Sequence, residues 1–316
     1  MSVSRAIPAT FEDSASGWER ALYAFLAEKE RRSGSKRTVQ AYSRMLQDFF
    51  GRVGKTPDQV TSQDVFAYAH GIGHSGREPS AVTVGARAAC ISSFYRFLIR
   101  MGALNSNPAD ALERPKAAPA PPRGLSADQV RQLLAVIPET PAGLRDRAII
   151  LTLVLTGRRR SEVLNLTAGD LSFQSETVFY QYVGKGRKHG RRELPRPAYE
   201  AIARALAAFG KDLASMGPDE SLWRAVGAES GITDGTAYLR FRRYLEDAGL
   251  PASGLHVLRH SAAKLRRDAG ESVETVSAFL DHSSLAATTT YLRRLEGQQD
   301  SGWTPVAEAI GVGTVS

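Results

Sequence analysis

The sequence predicts a mainly α-helical protein of two domains, with one small antiparallel β-sheet in the second. Apolar residues recur at helical spacing along most of the chain, and four prolines in eleven residues interrupt it at 114–124. One segment, Thr177–Val183, is rich in β-branched and aromatic residues, as strands are. The 316 residues are enough for two cores. We expect domains at 12–113 and 125–316, joined by a linker at 114–124.

Composition excludes several classes of protein. The chain is 42% hydrophobic and 23% charged, as folded globular proteins are. The longest nearly apolar run, Ala148–Leu155, is much shorter than the ~20 residues of a membrane span. The first twenty residues lack the apolar segment of a secretory signal, and a single cysteine, Cys90, cannot form an internal disulfide. We therefore expect a protein of the reducing cytoplasm.

The net charge of +8 indicates a polyanionic partner. There are 15 basic and 11 acidic residues up to Arg114, and 26 basic and 22 acidic residues after it. Both parts of the chain therefore carry the same excess of positive charge. Such a balance is typical of proteins that bind nucleic acid, and an ordinary basic enzyme is the alternative.

The first domain is predicted to be a bundle of four or five helices. Thr61–Asp64 and Ser80 carry the residue types that start helices. Four cations on these helices are candidate contacts for DNA phosphates, with a solvated surface as the alternative: Lys36, Arg37, Arg87 and Arg96.

In the second domain, Ser126–Gln129 resembles a helix start, and Ala148–Leu155 predicts a buried helix. The strand Thr177–Val183 should stop at Gly184. A seven-residue basic loop then leads to a second strand near Arg192–Pro195, which makes a hairpin, and helices follow from Tyr199 on.

Two basic segments of the second domain suit phosphate binding. Three arginines, Arg158–Arg160, follow the buried helix, where Ser161 could cap the next one, and each guanidinium offers a planar fork of donors. The hairpin tip, Gly184–Gly190, carries cations between glycines but lacks the spacing of a nucleotide-binding P-loop. A solvated corner and a simple groove contact are the alternatives. The cations of the tip are Lys185, Arg187 and Lys188.

Histidines dominate two further segments. His256 and Arg259 are three residues apart and would share one helix face. His260 follows Arg259, and His282 stands nine residues before Tyr291. A zinc site is disfavoured, because the chain has one cysteine and no Glu at metalloprotease spacing.

In order and spacing, these motifs resemble those of the tyrosine recombinase, or phage integrase, family. The motifs are Thr156-Gly157-x-Arg159-x-Ser161-Glu162, Gly184-Lys185-Gly186, His256-x-x-Arg259-His260, His282 and Tyr291. Thr38–Tyr42 and Asn107–Ala109 resemble the helical core-binding domain of that family. The resemblance implies a helical domain and a catalytic domain that form a C-shaped clamp on duplex DNA.

The resemblance also implies a reaction. Tyr291 would attack a phosphodiester, which gives a 3′-phosphotyrosyl link and a free 5′-hydroxyl without ATP, metal or other cofactor. Lys185 would protonate the leaving oxygen, and His256 would be the acid/base partner of the tyrosine. The supporting residues would be Arg159 and Arg259, which stabilise the transition-state charge, His282 as a phosphate donor, and Glu162 as an orienting group.

Three features depart from the family pattern or extend it. Arg158 and Arg160 stand where the family commonly has apolar residues, but the spacing to Glu162 favours Arg159 as the catalytic arginine. Asp281 replaces a usual glycine, and could raise the pKa of His282 or cap the turn. Trp303–Ile310 looks like a short amphipathic helix, which in this family commonly packs on a neighbouring subunit.

The resulting expectation is a site-specific DNA recombinase that acts as a homotetramer on two duplexes with inverted-repeat half-sites. It would be cytoplasmic and associated with the nucleoid. A type IB topoisomerase and a non-cleaving DNA-binding regulator are the alternatives.

Overall fold

The computed structural model describes residues 17–73, 76–113, 124–184, 189–228 and 230–281. The chain divides into two compact units, Met1–Pro119 and Ala120–Ser316, and this division falls within the proline-rich segment. The regular elements of the described residues are helices apart from one three-stranded antiparallel sheet in the second unit. The predicted fold class is therefore confirmed.

The first unit has four helices within the described residues: α1 (Gly17–Ser33), α2 (Lys36–Val53), α3 (Ser62–His70) and α4 (Ala81–Arg100). Aromatic rings fill the space between them. Phe94 of α4 meets Phe25 of α1 and Phe50 of α2 edge to face, with ring centroids 5.4 and 5.7 Å apart. Such contacts add about 0.5–1.5 kcal/mol per pair to the burial of apolar area.

The helix starts predicted in this unit are confirmed. The Thr61 side chain accepts the N–H of Asp64, and the Asp64 carboxylate accepts the N–H of Thr61. This reciprocal capping box begins α3. Ser80 accepts the N–H of Thr83 and begins α4.

Among the described helices, α4 is long and apolar enough by composition to cross a membrane, but half of that stretch is buried within the protein. Ile91, Phe94, Tyr95 and Leu98 all lie in the core of the first unit. The apolar character of α4 therefore matches its position as a core helix.

The second unit contains seven α-helices within the described residues: α5 (Ala127–Ala135), α6 (Pro141–Thr156), α7 (Arg160–Leu164), α8 (Arg196–Ala208), α9 (Asp234–Asp247), α10 (His256–Asp268) and α11 (Val273–Phe279). The predicted buried helix is confirmed as α6, which packs against α8 and α10. Ala148, Ile150 and Leu153 are buried in its centre. Trp223 is fully buried and donates its Nε1–H to the Val163 carbonyl at 2.6 Å.

The sheet has the order β1 (Leu171–Gln174), β2 (Thr177–Val183) and β3 (His189–Glu193). In β2 the predicted bounds are confirmed, but β1 was not predicted, because four residues carry little alternation. The expected seven-residue loop was too long. Since Tyr182 pairs with Gly190 and Val183 with His189, β3 starts at His189. The backbone pairing with β2 holds the polar residues at the start of β3 in the strand, although their side chains do not predict one.

Candidate active site

The turn between α6 and α7 presents the three arginines. Gly157 ends α6 in the left-handed conformation (φ 61°), and its N–H bonds the Leu153 carbonyl. A β-carbon here would also lie 2.5 Å from the Phe279 ring, so this position requires glycine. Arg159 is the residue that precedes the first turn of α7.

Glu162, not Ser161, caps α7. The sequence suggested Ser161 as the cap, but Ser161 lies inside the helix. The buried Glu162 carboxylate accepts the backbone N–H of Arg159 at 2.9 Å and its Nη1–H at 2.8 Å. One carboxylate therefore fixes both the backbone and the guanidinium of Arg159.

The three consecutive arginines have different surroundings. The Arg158 side chain is 0% exposed and bonded within the protein. The Arg160 Nε is 2.7 Å from an Asp234 carboxylate oxygen, at the start of α9. Arg159 is 31% exposed beside Glu162. The Arg160 side chain is nearly as exposed, at 29%, but it pairs with α9, whereas Glu162 holds the Arg159 guanidinium at the α6–α7 turn, which supports the choice made from spacing.

Arg259 lies on α10 and is buried against the same turn. Its Nη1–H donates to the Gly157 carbonyl at 2.6 Å and its Nη2–H to the Leu280 carbonyl at 2.5 Å. Burial, then the charges of Arg159 and Arg158, lower its pKa to about 10. The guanidinium remains charged at neutral pH, and the two bonds use two of its five N–H donors.

His256 is the first residue of α10 and is solvent-accessible. Partial burial, then the charges of Arg259, Arg159 and Arg160, lower its pKa below the usual 6.5. The lowered pKa favours the neutral imidazole, which is the form that can accept a proton. Its ring lies edge to face against His260, with centroids 4.8 Å apart.

These residues form one cationic site with a neutral base beside it. Arg259 bonds the carbonyl of Gly157, two residues before Arg159, so both guanidinium groups belong to the same turn, and His256 stands one helical turn before Arg259 on α10. Two guanidinium groups can hold the two non-bridging oxygens of a phosphodiester. Among the residues that the structure describes, no group of three His, Cys, Asp or Glu side chains could hold a metal ion.

Asp281 contributes a contact that the sequence did not reveal. Its carboxylate bonds Arg158, the Tyr182 hydroxyl and Arg192, the last at 2.6 Å. Burial raises its pKa, but the hydrogen bond from Tyr182 and the charge of Arg158 outweigh this and lower the pKa to about 2. One feature of the sequence could have indicated the contact between Arg158 and Asp281. Both residues depart from the family pattern, and their charges are opposite.

Several predicted residues lie outside the described part of the chain, and their roles stay predictions. They are Lys185, Arg187, Lys188, His282, Tyr291 and the segment Trp303–Ile310.

The cations predicted to contact DNA from the first unit have different environments. Lys36 and Arg37 are exposed at the start of α2. Arg96 pairs with Asp110 at 3.5 Å. The Nη1 of Arg87 instead donates to the carbonyls of Tyr68, Ala69 and Gly71, at 3.0, 3.2 and 2.6 Å, and so caps the end of α3. Arg87 thus has a structural function, and DNA contact by these residues stays a prediction.

Sequence comparison identifies two family regions in the chain. Residues 123–297 match the Phage integrase family, and residues 20–102 match the Phage integrase N-terminal SAM-like domain. The chain is 30% identical to "Tyrosine recombinase XerC" of Roseiflexus castenholzii, over 83% of the chain and 84% of that protein. It is 29% identical to "Tyrosine recombinase XerD" of Mycobacterium leprae, over 82% and 85%.

The fold is similar to that of a lambda integrase fragment (75–356), solved as a dimer bound to a COC′ core site. The TM-score is 0.67 with 17% identity, over 90% of this chain and 98% of the other. At this identity the similarity supports the fold alone.

Proposed function

Because the chain belongs to the phage integrase, or tyrosine recombinase, family, we propose that it is a site-specific DNA recombinase that cuts and rejoins duplex DNA through a 3′-phosphotyrosyl intermediate. The observation that carries this proposal is the position of Arg159 and Arg259 at one turn, where Arg259 bonds the Gly157 carbonyl, with His256 one helical turn before Arg259. A DNA strand transferase needs such a site to bind a phosphodiester and withdraw a proton.

The cleavage step needs no high-energy cofactor. The Tyr291 oxygen forms a bond to phosphorus while the bond from phosphorus to the 5′ oxygen breaks, so one phosphoester replaces another. The tyrosine proton passes to His256, and Lys185 supplies a proton to the 5′ oxygen. Strand joining is the same step in reverse, with a 5′-hydroxyl from the partner duplex as the nucleophile.

Arg159 and Arg259 stabilise the charge that grows on the non-bridging oxygens in the transition state, with His282 as a further donor. Both arginines are preorganised: Glu162 holds Arg159, and two backbone carbonyls hold Arg259. Little reorganisation is then needed during the reaction.

The finer parts of the proposal concern assembly. We infer a homotetramer on two duplexes, each with inverted-repeat half-sites, since a two-fold pair of subunits requires such repeats. Trp303–Ile310 would pack on a neighbouring subunit, and the protein would act at the nucleoid. The +8 net charge supports a polyanionic partner.

Covalent trapping tests the function directly. Inverted repeats are selected for binding from a random-sequence library, and the selected duplex is nicked beside the centre so that cleavage cannot be reversed. We expect an adduct that survives denaturant, forms without ATP and forms equally in EDTA. Two intact duplexes that carry the repeats should give recombinant products.

Other results of this experiment would indicate a different function or mechanism. Tight binding without an adduct would indicate the non-cleaving regulator. Adducts on DNA of any sequence, with relaxation of supercoils by a monomer, would indicate the topoisomerase. Loss of cleavage when EDTA is added to preassembled complexes would require a metal-dependent mechanism.

The lowered pKa of His256 predicts how the reaction depends on pH. Below its pKa the ring is protonated and cannot accept the tyrosine proton, so the rate of adduct formation should fall as the pH falls. Because this pKa lies below 6.5, we expect a higher rate at pH 7 than at pH 5 and an acid limb centred below pH 6.5.

The measurement is the single-turnover rate constant between pH 5 and 8 with saturating DNA. The variant His256→Gln should be slower and should lack this acid limb. The same limb in both proteins, or a limb centred above 6.5, would remove His256 as the proton acceptor.

A further inference from the structure

Arg158 is a fully buried arginine whose guanidinium nitrogens all bond within the protein. Nη1 donates to the Tyr182 hydroxyl at 2.8 Å and to the Asp281 carboxylate, Nη2 donates to the Phe279 carbonyl, and Nε donates to the Thr156 carbonyl at 3.3 Å. The Arg158 guanidinium also lies 4.8 Å from the Tyr182 ring centroid. The Arg158 side chain therefore bonds to other groups of the protein and is not placed to bind DNA.

Asp281 extends these contacts to the β2–β3 hairpin. One carboxylate oxygen bonds both Arg158 and the Tyr182 hydroxyl, and the other accepts from Arg192 of β3 at 2.6 Å. The same Arg192 nitrogen also lies 3.1 Å from the Ala278 carbonyl. Two residues of the hairpin therefore hold the end of α11.

The four side chains adjoin segments that carry proposed catalytic residues. Arg158 precedes Arg159, and β2 ends two residues before Lys185. Asp281 directly precedes His282. The network of Arg158, Tyr182, Arg192 and Asp281 thus connects three segments that are far apart in the sequence.

The stabilities of the buried Arg158 and of Asp281 depend on each other. A buried guanidinium that loses its carboxylate is strongly unfavourable, whereas apolar replacement of both charges is often tolerated. Asp281 also has a left-handed backbone (φ 51°), which glycine adopts without cost and aspartate adopts less readily. Its bonds to Arg158 and the hairpin offset this conformational cost.

We propose that Arg158 and Asp281 are a matched pair of positioning residues that holds the segment before His282 against the β2–β3 hairpin. This inference rests on the proposed function, since it is through Lys185 and His282 that the pair acts on strand cleavage. Neither Arg158 nor Asp281 contacts the phosphate itself.

A double-mutant cycle tests the pairing. The variants are Arg158→Met, which keeps most of the side-chain length, Asp281→Gly, which relieves the left-handed backbone, and both together. Each single variant should lower the single-turnover rate of adduct formation at saturating DNA by about 10- to 100-fold, the size expected for a small misplacement of reacting groups. The double variant should recover to within about fivefold of the wild-type rate.

Two controls separate positioning from folding and binding. Arg196→Gln removes an arginine whose side chain is 88% exposed, and it should leave the rate unchanged. All variants should bind DNA with nearly wild-type affinity, and they are assayed well below their unfolding temperatures. If Arg158→Met does not fold, Asp281→Gly and the double variant still report the rescue.

Hydrogen exchange provides a readout without DNA cleavage. Asp281→Gly should speed amide exchange in β2 and β3 by about tenfold or more, although Asp281 is 99 residues from Tyr182 in the sequence. The double variant should reverse part of this change. If the wild type forms no adduct but the exchange effect is present, the proposed function fails and the pairing stands. Unchanged exchange, or a double variant as slow as the product of the single effects, overturns the inference.

Discussion

Tyr291→Phe should abolish covalent adduct formation and leave DNA binding nearly intact. The substitution removes only the hydroxyl oxygen that would attack phosphorus, so this side chain can no longer form the ester. Loss of a nucleophile lowers the rate of such reactions by a factor of at least ~10⁴. The adduct is measured on the nicked duplex by denaturing gel, and binding by a mobility-shift titration.

A matched control is Tyr23→Phe, because Tyr23 is exposed on α1 in the first unit. It removes the same oxygen from another tyrosine and should cleave at the wild-type rate. A denaturant-resistant adduct formed by Tyr291→Phe would show that another residue is the nucleophile.

Arg159→Ala and Arg259→Ala should each lower the rate of adduct formation by at least ~10²-fold. Each removes one preorganised cation from the site where charge develops, and losses of that size are usual for such groups. The control is Arg160→Ala, which removes the adjacent arginine and its ion pair with Asp234. We expect Arg160→Ala to remain within about threefold of wild type, since ion pairs that are partly exposed to solvent contribute little.

Arg259 also connects α10 to the Gly157 and Leu280 carbonyls, so its loss affects the fold as well. Thermal unfolding of each variant separates this effect from catalysis, and Arg259→Lys keeps the charge without the planar fork. If Arg160→Ala were the slower variant and Arg159→Ala nearly normal, the wrong arginine would have been assigned.

Local features of this protein could be predicted because their determinants lie within a few residues. Thr61 and Asp64 form a capping box, and Ser126 with Gln129 forms another, as their spacing suggested. The strand Thr177–Val183 follows from its own residue types. The family motifs were likewise recognisable from short spacings, such as the step of three residues from His256 to Arg259.

Other features required the tertiary structure. The four residues of β1 carry too little pattern, and they form a strand because β2 supplies the hydrogen-bond partners. The spacing to Glu162 favours Arg159 over Arg158 as the catalytic arginine, and the sequence gives Arg158 no role of its own. Its burial between Tyr182, Phe279 and Asp281 changes that expectation.

The sequence by itself determined the family, the helical fold class and the residue types of the site, because spacing within one element records which side chains share a face. Only the tertiary structure decided which of the three consecutive arginines is buried. Arg158 and Asp281 are 123 residues apart, and folding alone brings them together. A buried charge must be paired, and its partner is set by the packing of α11 against the hairpin and the α6–α7 turn, which no local pattern specifies.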